Sequence, residues 1–187
     1  MDLINKVKSI SIWIFIVPFI AVNTCLILIT QFQGLYPNPE DLIHNTIPYF
    51  DGGASISRTA RPYPSWLIFK PAMFLTSFLL IKYWLYNKEI INFFQKDHKN
   101  INKIVYFGIA SAIALTIHSI FLGIKFDNDL YKLFRRVVML MFIIFEIFAQ
   151  AYLVSTLYSF KSKISEYINT KFLIIKIYLV SFLILVA

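Results

Sequence analysis

The chain has 187 residues, of which 58% are hydrophobic and only 15% are charged. Soluble domains average about 45–50% apolar and about 25% charged residues, so this composition excludes an ordinary soluble enzyme and indicates a multi-pass membrane protein. A net charge of +8 would favour nucleic-acid binding in a soluble protein. Here the basic residues lie mainly between apolar runs, where they set membrane topology, so we expect no nucleic-acid partner. The single cysteine, Cys25, excludes an intramolecular disulfide.

Long apolar runs dominate the chain. A helix needs about 20 mostly apolar residues to cross the hydrocarbon core of a bilayer. Five runs predict an all-α transmembrane bundle in a single domain of residues 1–187, with spans at residues 10–32, 66–86, 104–124, 137–160 and 172–187. The first run is too long for the core of a signal peptide and predicts a retained helix kinked at Pro18. The fifth is short and contains Lys176, which indicates that the chain ends inside the membrane or that a longer, six-span protein is cut here.

Basic residues between the spans predict the orientation of the chain. The side that carries the N-terminus holds ten of them and the opposite side holds seven, so the positive-inside rule places the N-terminus in the cytoplasm. The connection between the first two spans, residues 33–65, then lies on the outer side. It is long, contains five of the seven prolines and is rich in apolar residues. We therefore expect it to fold back over the outer ends of the helices.

The densest polar cluster of the chain lies in this connection. It consists of Asp51-Gly52-Gly53, followed by Ser55, Ser57, Arg58 and Arg61. Glycines allow positive φ, so backbone amides, two hydroxyl groups and two guanidinium groups predict a site for an anion, and a lipid phosphate is the natural ligand. The alternative interpretation is a tight turn in which Asp51 or Ser55 caps a short surface helix.

Residues 45–87 also carry a likeness to a known family. After a first helix and a long outer loop, the chain shows Pro48, the run Ser55-Ile56-Ser57, an Arg-x-x-Pro, Trp66 and a helix that ends near Tyr83. This arrangement resembles the FRAG/DRAM/SFK group of membrane proteins, which includes the factor that acts in lipid remodelling of GPI anchors. The resemblance implies a lipid-handling or membrane-regulatory role. It also implies six spans with both ends in the cytosol, one more than the chain offers.

Three polar residues inside the predicted spans are further candidates. Glu146 lies near the middle of the fourth span, where a carboxyl group must face protein or water. Gln150 follows one turn later on the same face. His118, in the third span, lies within roughly 5 Å of the depth of Glu146 when about 1.5 Å is counted per residue. The pattern predicts a proton-sharing or head-group-binding pair or, alternatively, hydrogen bonds that only hold the bundle together.

The sequence shows no catalytic motif of a hydrolase, a metalloprotease or a carboxylate pair. His44 and His98 have no partner at ligand spacing, so we expect no metal and no cofactor, and the catalytic residues, if any, stay unknown. The leading hypothesis is an integral membrane protein that binds, or helps to remodel, a phospholipid or glycolipid, with membrane lipids as partners and the head group at the outer loop. The alternative is a non-catalytic subunit of a larger membrane assembly that contacts partner proteins through its Phe-rich faces.

Overall fold

Long helices make up most of the structure. A computed structural model describes residues 2–43, 49–50, 55–96, 98–124, 128–165, 167 and 169–186. The helices are α1 (Asp2–Gln31), α2 (Ile56–Thr59), α3 (Ser65–Phe94), α4 (Ile101–Phe121), α5 (Asp129–Ser159), α6 (Lys161–Ile164) and α7 (Thr170–Val186), and 3₁₀ turns lie at Gln33–Leu35 and Pro39–Asp41. The described residues contain no β-strand, which confirms the all-α class.

Four of these helices, α1, α3, α4 and α5, are long and apolar enough to cross a membrane. The shortest of them, α4, has 21 residues and therefore measures about 30 Å, the thickness of a bilayer core. The structure thus supports a multi-pass membrane protein. The predicted fifth span corresponds to α7, which has 17 residues and carries Lys176 in its interior, so a fifth crossing stays a prediction.

Three of the first four predicted spans are shorter than the corresponding helices, and the third, residues 104–124, equals α4 in length but ends three residues later. Helix α1 begins at Asp2 rather than at residue 10, α3 continues to Phe94 rather than to residue 86, and α5 begins at Asp129 rather than at residue 137. Hydropathy marks only the part of a helix that suits hydrocarbon, whereas helical hydrogen bonding continues through charged turns. At the start of α5, for example, the Asn128 side chain accepts a hydrogen bond of 3.0 Å from the Leu130 amide and caps the helix.

Each long helix packs against the next in the order α1, α3, α4, α5 and α7. Hydrogen bonds at the helix ends connect three of them. Lys70 Nζ, near the start of α3, donates to the carbonyl of Ile120 at 3.2 Å, and the Tyr131 hydroxyl, near the start of α5, donates to the carbonyl of Phe121 at 2.6 Å. Both acceptors lie at the end of α4, so α4 runs antiparallel to α3 and to α5. Helices α1 and α5 are not among the closely packed pairs.

Close packing between α3 and α4 depends on one glycine. The Trp84 side chain of α3 is fully buried, and a methyl group added at Gly108 of α4 would overlap its indole ring. Small residues allow helix backbones to approach in this way in membranes. The pair therefore fixes the distance between the two central helices.

The connection between α1 and α3 returns to the helix bundle where it is described. The Tyr36 hydroxyl is hydrogen-bonded to the Oγ of Ser65, the first residue of α3, and burial raises the pKa of Tyr36, which keeps this hydroxyl protonated. Further along, the Tyr49 hydroxyl donates to Asn23 Oδ1 of α1 at 2.6 Å. The predicted turn at Asp51-Gly52-Gly53 lies outside the described residues.

Candidate functional site

Two arginines from distant parts of the chain meet at Ser57. Arg61 Nη2 and Arg135 Nη2 donate to Ser57 Oγ at 3.3 and 3.2 Å, respectively. Arg61 lies two residues after the end of α2, and Arg135 lies in the second turn of α5. Because both positive charges approach a single oxygen, they repel each other by about 2 kcal/mol at an effective dielectric constant of about 20. A bound negative charge would relieve this repulsion.

These residues line a pocket of about 600 Å³, here called the cationic pocket. Its basic side chains are Arg61, Lys132, Arg135 and Arg136. Lys132 also forms an ion pair of 3.0 Å with Asp129. The Nε atoms of Arg61 and Arg135 are buried and have no acceptor among the described residues, and an unmet buried donor costs about 1–3 kcal/mol. Both charge and hydrogen bonding therefore favour an anionic ligand.

The helical period of α5 explains why its basic residues share one wall. Residues spaced by three and four positions lie on the same face of a helix. The residues of α5 that line the pocket include a set with this spacing, namely Lys132, Arg135, Arg136, Met139 and Ile143. This face is cationic over its first two turns and apolar afterwards, so its polarity changes in the direction in which α5 enters the hydrocarbon.

A second space of about 540 Å³, here called the apolar cavity, lies between the helices. Helices α1, α3, α4 and α5 all contribute to its wall, for example through Val22, Met73, Leu115 and Phe142. Eleven of the fifteen lining residues are apolar, and the polar ones are Ser57, Thr76, His118 and Glu146. Such a lining suits a hydrocarbon chain.

The cationic pocket and the apolar cavity are neighbours. Ser57, His118 and Met139 line both spaces. His118 lies in the last turn of α4, and its Nδ1 is buried without a hydrogen-bond partner among the described residues. An imidazole nitrogen either donates or accepts a hydrogen bond, depending on its protonation. The junction therefore carries one ring nitrogen that can still form a hydrogen bond beside the cationic pocket.

Glu146 is held by hydrogen bonds of the bundle. Ser111 Oγ lies 2.7 Å from Glu146 Oε2 and 2.8 Å from the carbonyl oxygen of Gly108, and Gln150 Nε2 donates to Glu146 Oε1 at 2.9 Å. One hydroxyl hydrogen of Ser111 cannot serve two acceptors. A proton on Glu146 supplies the missing hydrogen, so the geometry suits a neutral carboxylic acid. The cluster joins α4 to α5, as the bundle-stabilising alternative expects.

The predicted head-group residues separate into two pairs. Ser57 and Arg61 line the cationic pocket. Ser55 instead caps α2, because its Oγ accepts a hydrogen bond of 3.3 Å from the Arg58 amide, as the alternative interpretation expects. The Arg58 side chain is exposed and lines neither of the two spaces. Arg58 therefore lies on the exposed side of the four-residue helix α2, whereas the side chain of Arg61, which follows this helix, reaches the pocket.

The structure does not join His118 to Glu146. Ser111, the partner of Glu146, precedes His118 by about two helical turns, or about 10 Å along α4. The depth predicted from sequence is counted from a fourth span that starts at residue 137, whereas α5 begins at Asp129. This longer helix places Glu146 deeper in the bundle than His118.

Sequence reasoning missed the contribution of α5 to the cationic pocket. Lys132, Arg135 and Arg136 are among the seven basic residues of the outer side, which the sequence analysis uses only to predict topology. The available signal was their spacing, since three basic residues at positions i, i+3 and i+4 share a face that continues as Met139. The contact of this face with Ser57 could not be read from spacing. In addition, no group of three or more His, Cys, Asp and Glu residues in the described parts of the chain could hold a metal ion.

Comparisons of the chain with protein-family models, curated proteins and solved structures gave no match. The resemblance to the FRAG/DRAM/SFK group therefore stays a prediction from residues 45–87.

Proposed function

We propose that this protein binds a membrane lipid, with the anionic head group in the cationic pocket and a hydrocarbon chain in the apolar cavity. One observation carries the proposal, namely that Ser57, His118 and Met139 line both spaces. An amphiphile needs such a change from cationic to apolar surroundings within one molecule's length. The resemblance to a lipid-handling family supports the same role.

Head-group contacts provide most of the selectivity in this proposal. A lipid chain leaves an environment that is already apolar when it enters the cavity, so its transfer contributes little free energy. Charge-assisted hydrogen bonds to the head group contribute about 1.5–3 kcal/mol each. The head-group contacts come from Ser57 and Arg61 of the connection and from Arg135 and Arg136 of α5, not from Ser55 and Arg58.

Access to the apolar cavity is lateral in this proposal. Val22 of α1 and Phe142 of α5 both line the cavity, although α1 and α5 are not closely packed against each other. A gap between two spanning helices opens toward the hydrocarbon of the bilayer. A lipid can therefore enter without passing its chain through water.

Lipid retention by purified variants tests the proposal. The double variant Arg61→Gln/Arg135→Gln removes two charge-assisted donor groups, and a loss of about 1.4 kcal/mol already lowers affinity tenfold. We expect retention of co-purifying anionic lipid, measured by native mass spectrometry, to fall by at least about tenfold. Arg58→Gln is the matched control, since it removes an exposed arginine of the same segment and should retain lipid like the parent protein.

Circular dichroism establishes whether each variant keeps its helices. Equal lipid retention by the folded double variant and by the parent protein would refute the proposal. Equal losses in the double variant and in Arg58→Gln would show a general charge effect instead of a pocket, and this result would also refute it.

A role as a subunit of a membrane assembly is the second candidate. Helix α7 exposes most of its surface, with Leu173 and Val180 as its buried residues, and Ser155 and Ser181 line a groove between α5 and α7. Hydroxyl groups in such a groove favour contact with another helix. The tenfold loss expected above favours lipid binding, whereas dependence of folding on other polypeptides would favour the subunit.

A further inference from the structure

The charge on the wall of the cationic pocket restricts the class of head group. Its basic residues are Arg61, Lys132, Arg135 and Arg136, and no carboxylate of the described residues lines it. Lys132 forms an ion pair with Asp129, which compensates its charge. Within the described residues, none of the three arginines forms an ion pair. A single negative charge would leave most of this positive charge uncompensated.

The donor groups lead to the same conclusion. Each guanidinium group has five N–H donors, and Arg61 and Arg135 each give one of them to Ser57 within the described structure. A terminal phosphate offers three acceptor oxygens and a charge of about −1.5 to −2 near neutral pH. A phosphodiester offers two free oxygens and a single charge. Several guanidinium groups that converge on one pocket therefore match a terminal phosphate better than a phosphodiester.

A zwitterionic head group fits the cationic pocket poorly. Its ammonium group would need a carboxylate or the face of a Trp, Tyr or Phe ring. The described wall has neither, since apart from the basic residues it consists of Ser57, His118, Met139, Leu140 and Ile143. The ammonium would instead lie near several positive charges.

We infer that the ligand is a lipid phosphate monoester, whose terminal phosphate is held between Arg61, Arg135 and Arg136 while its chain occupies the apolar cavity. The inference rests on the proposed lipid-binding function and adds the chemical class of the head group. Phosphatidic acid is a representative of this class that can be used as a probe.

Competition between head groups with identical acyl chains tests the inference. The full-length protein is placed in nanodiscs of phosphatidylcholine that contain an equal small amount of phosphatidic acid and phosphatidylglycerol, and bound lipid is identified by native mass spectrometry. We expect phosphatidic acid to be retained at least about tenfold over phosphatidylglycerol, since it offers one more charge and one more acceptor oxygen. Phosphatidylcholine should be retained least.

Variants connect this preference to the cationic pocket. Arg136→Gln should reduce the preference for phosphatidic acid, and Arg135→Lys, which keeps the charge and loses the planar fork, should reduce it in part. Arg58→Gln should leave it unchanged. If Arg136→Gln fails to fold, Arg135→Lys still provides the comparison. A preference that is unchanged in both folded pocket variants would overturn the assignment.

The outcomes separate this inference from the proposed function. Equal retention of phosphatidic acid and phosphatidylglycerol, both sensitive to Arg61→Gln/Arg135→Gln, would overturn the monoester inference and leave lipid binding intact. Retention of no lipid would overturn both. Inorganic phosphate distinguishes a lipid from a free anion, because it lacks the chain. Displacement of phosphatidic acid by an equimolar total amount of inorganic phosphate in the sample would overturn the lipid assignment.

Discussion

Replacement of Ser111 by alanine tests the hydrogen-bond cluster inside the bundle. The Ser111 hydroxyl connects Glu146 of α5 with the carbonyl of Gly108 on its own helix, and the side chain of Ser111 is fully buried. Alanine removes this link and leaves Glu146 Oε2 without its partner. The change is small in volume, so the lost hydrogen bonds account for most of its effect.

The expected loss in the free energy of unfolding is about 1–2 kcal/mol. Hydrogen bonds between membrane helices average about 0.6 kcal/mol and reach about 1.7 kcal/mol, and we expect the upper part of this range because Glu146 Oε2 loses its partner while buried. Thr116→Ala is the matched control on the same helix, because Thr116 Oγ1 donates to the carbonyl of Ala112 in α4 at 3.0 Å. We expect that control to change stability by less than about 0.5 kcal/mol.

Glu146→Gln extends the test to the protonation of the carboxyl group. A neutral glutamic acid and glutamine have similar shapes, and the amide of the variant can donate to Ser111 Oγ while its oxygen accepts from Gln150. We therefore expect a change below about 0.5 kcal/mol. Unfolding by SDS in mixed micelles, followed by circular dichroism, measures all three variants. Equal stability of Ser111→Ala and Thr116→Ala, or a change above about 1 kcal/mol for Glu146→Gln, would refute the reasoning.

Three further predictions concern packing, access and topology. Gly108→Ala should lower the free energy of unfolding by about 1–3 kcal/mol, because the new methyl group overlaps the Trp84 indole, and a thermal melt in detergent that matches the parent would contradict this. Cysteines at Val22 and Met139, joined by a bifunctional thiol reagent in a background without the native cysteine, should slow lipid exchange between nanodiscs, whereas unchanged exchange would exclude access between α1 and α5. A single cysteine at Lys96 should resist an impermeant maleimide in intact cells, while one in the connection between α1 and α3 should react; the reverse pattern would invert the predicted orientation.

Hydropathy predicted the helices well because the requirement for apolar residues is local. The first four predicted spans overlap the four long apolar helices over most of their length, and the errors lie at the ends, such as the start of α5 at Asp129. A hydropathy window detects hydrocarbon contact and not the capped, charged turns beyond it. The short fifth run corresponds to α7. This helix has 17 residues and is not among the four helices that are long and apolar enough to cross a membrane.

The candidate site was harder to predict because it depends on contacts between distant residues. The polar cluster before α3 predicts Ser57 and Arg61 as head-group residues, and both line the cationic pocket. The same cluster also predicts Arg58, but this residue lies on the exposed side of a four-residue helix. Arg135 is 78 residues from Ser57, and no local periodicity indicates such a contact.

The loose packing of α1 and α5 affects how binding is measured. If a ligand reaches the apolar cavity from the bilayer, its effective concentration is its mole fraction among the surrounding lipids and not its concentration in water. Dilution of the aqueous phase then leaves occupancy unchanged, whereas a change in bilayer composition shifts it. Detergent molecules with apolar tails become competitors for the same cavity. Apparent affinities measured in micelles and in nanodiscs should therefore differ for this protein even when its pocket is identical in both.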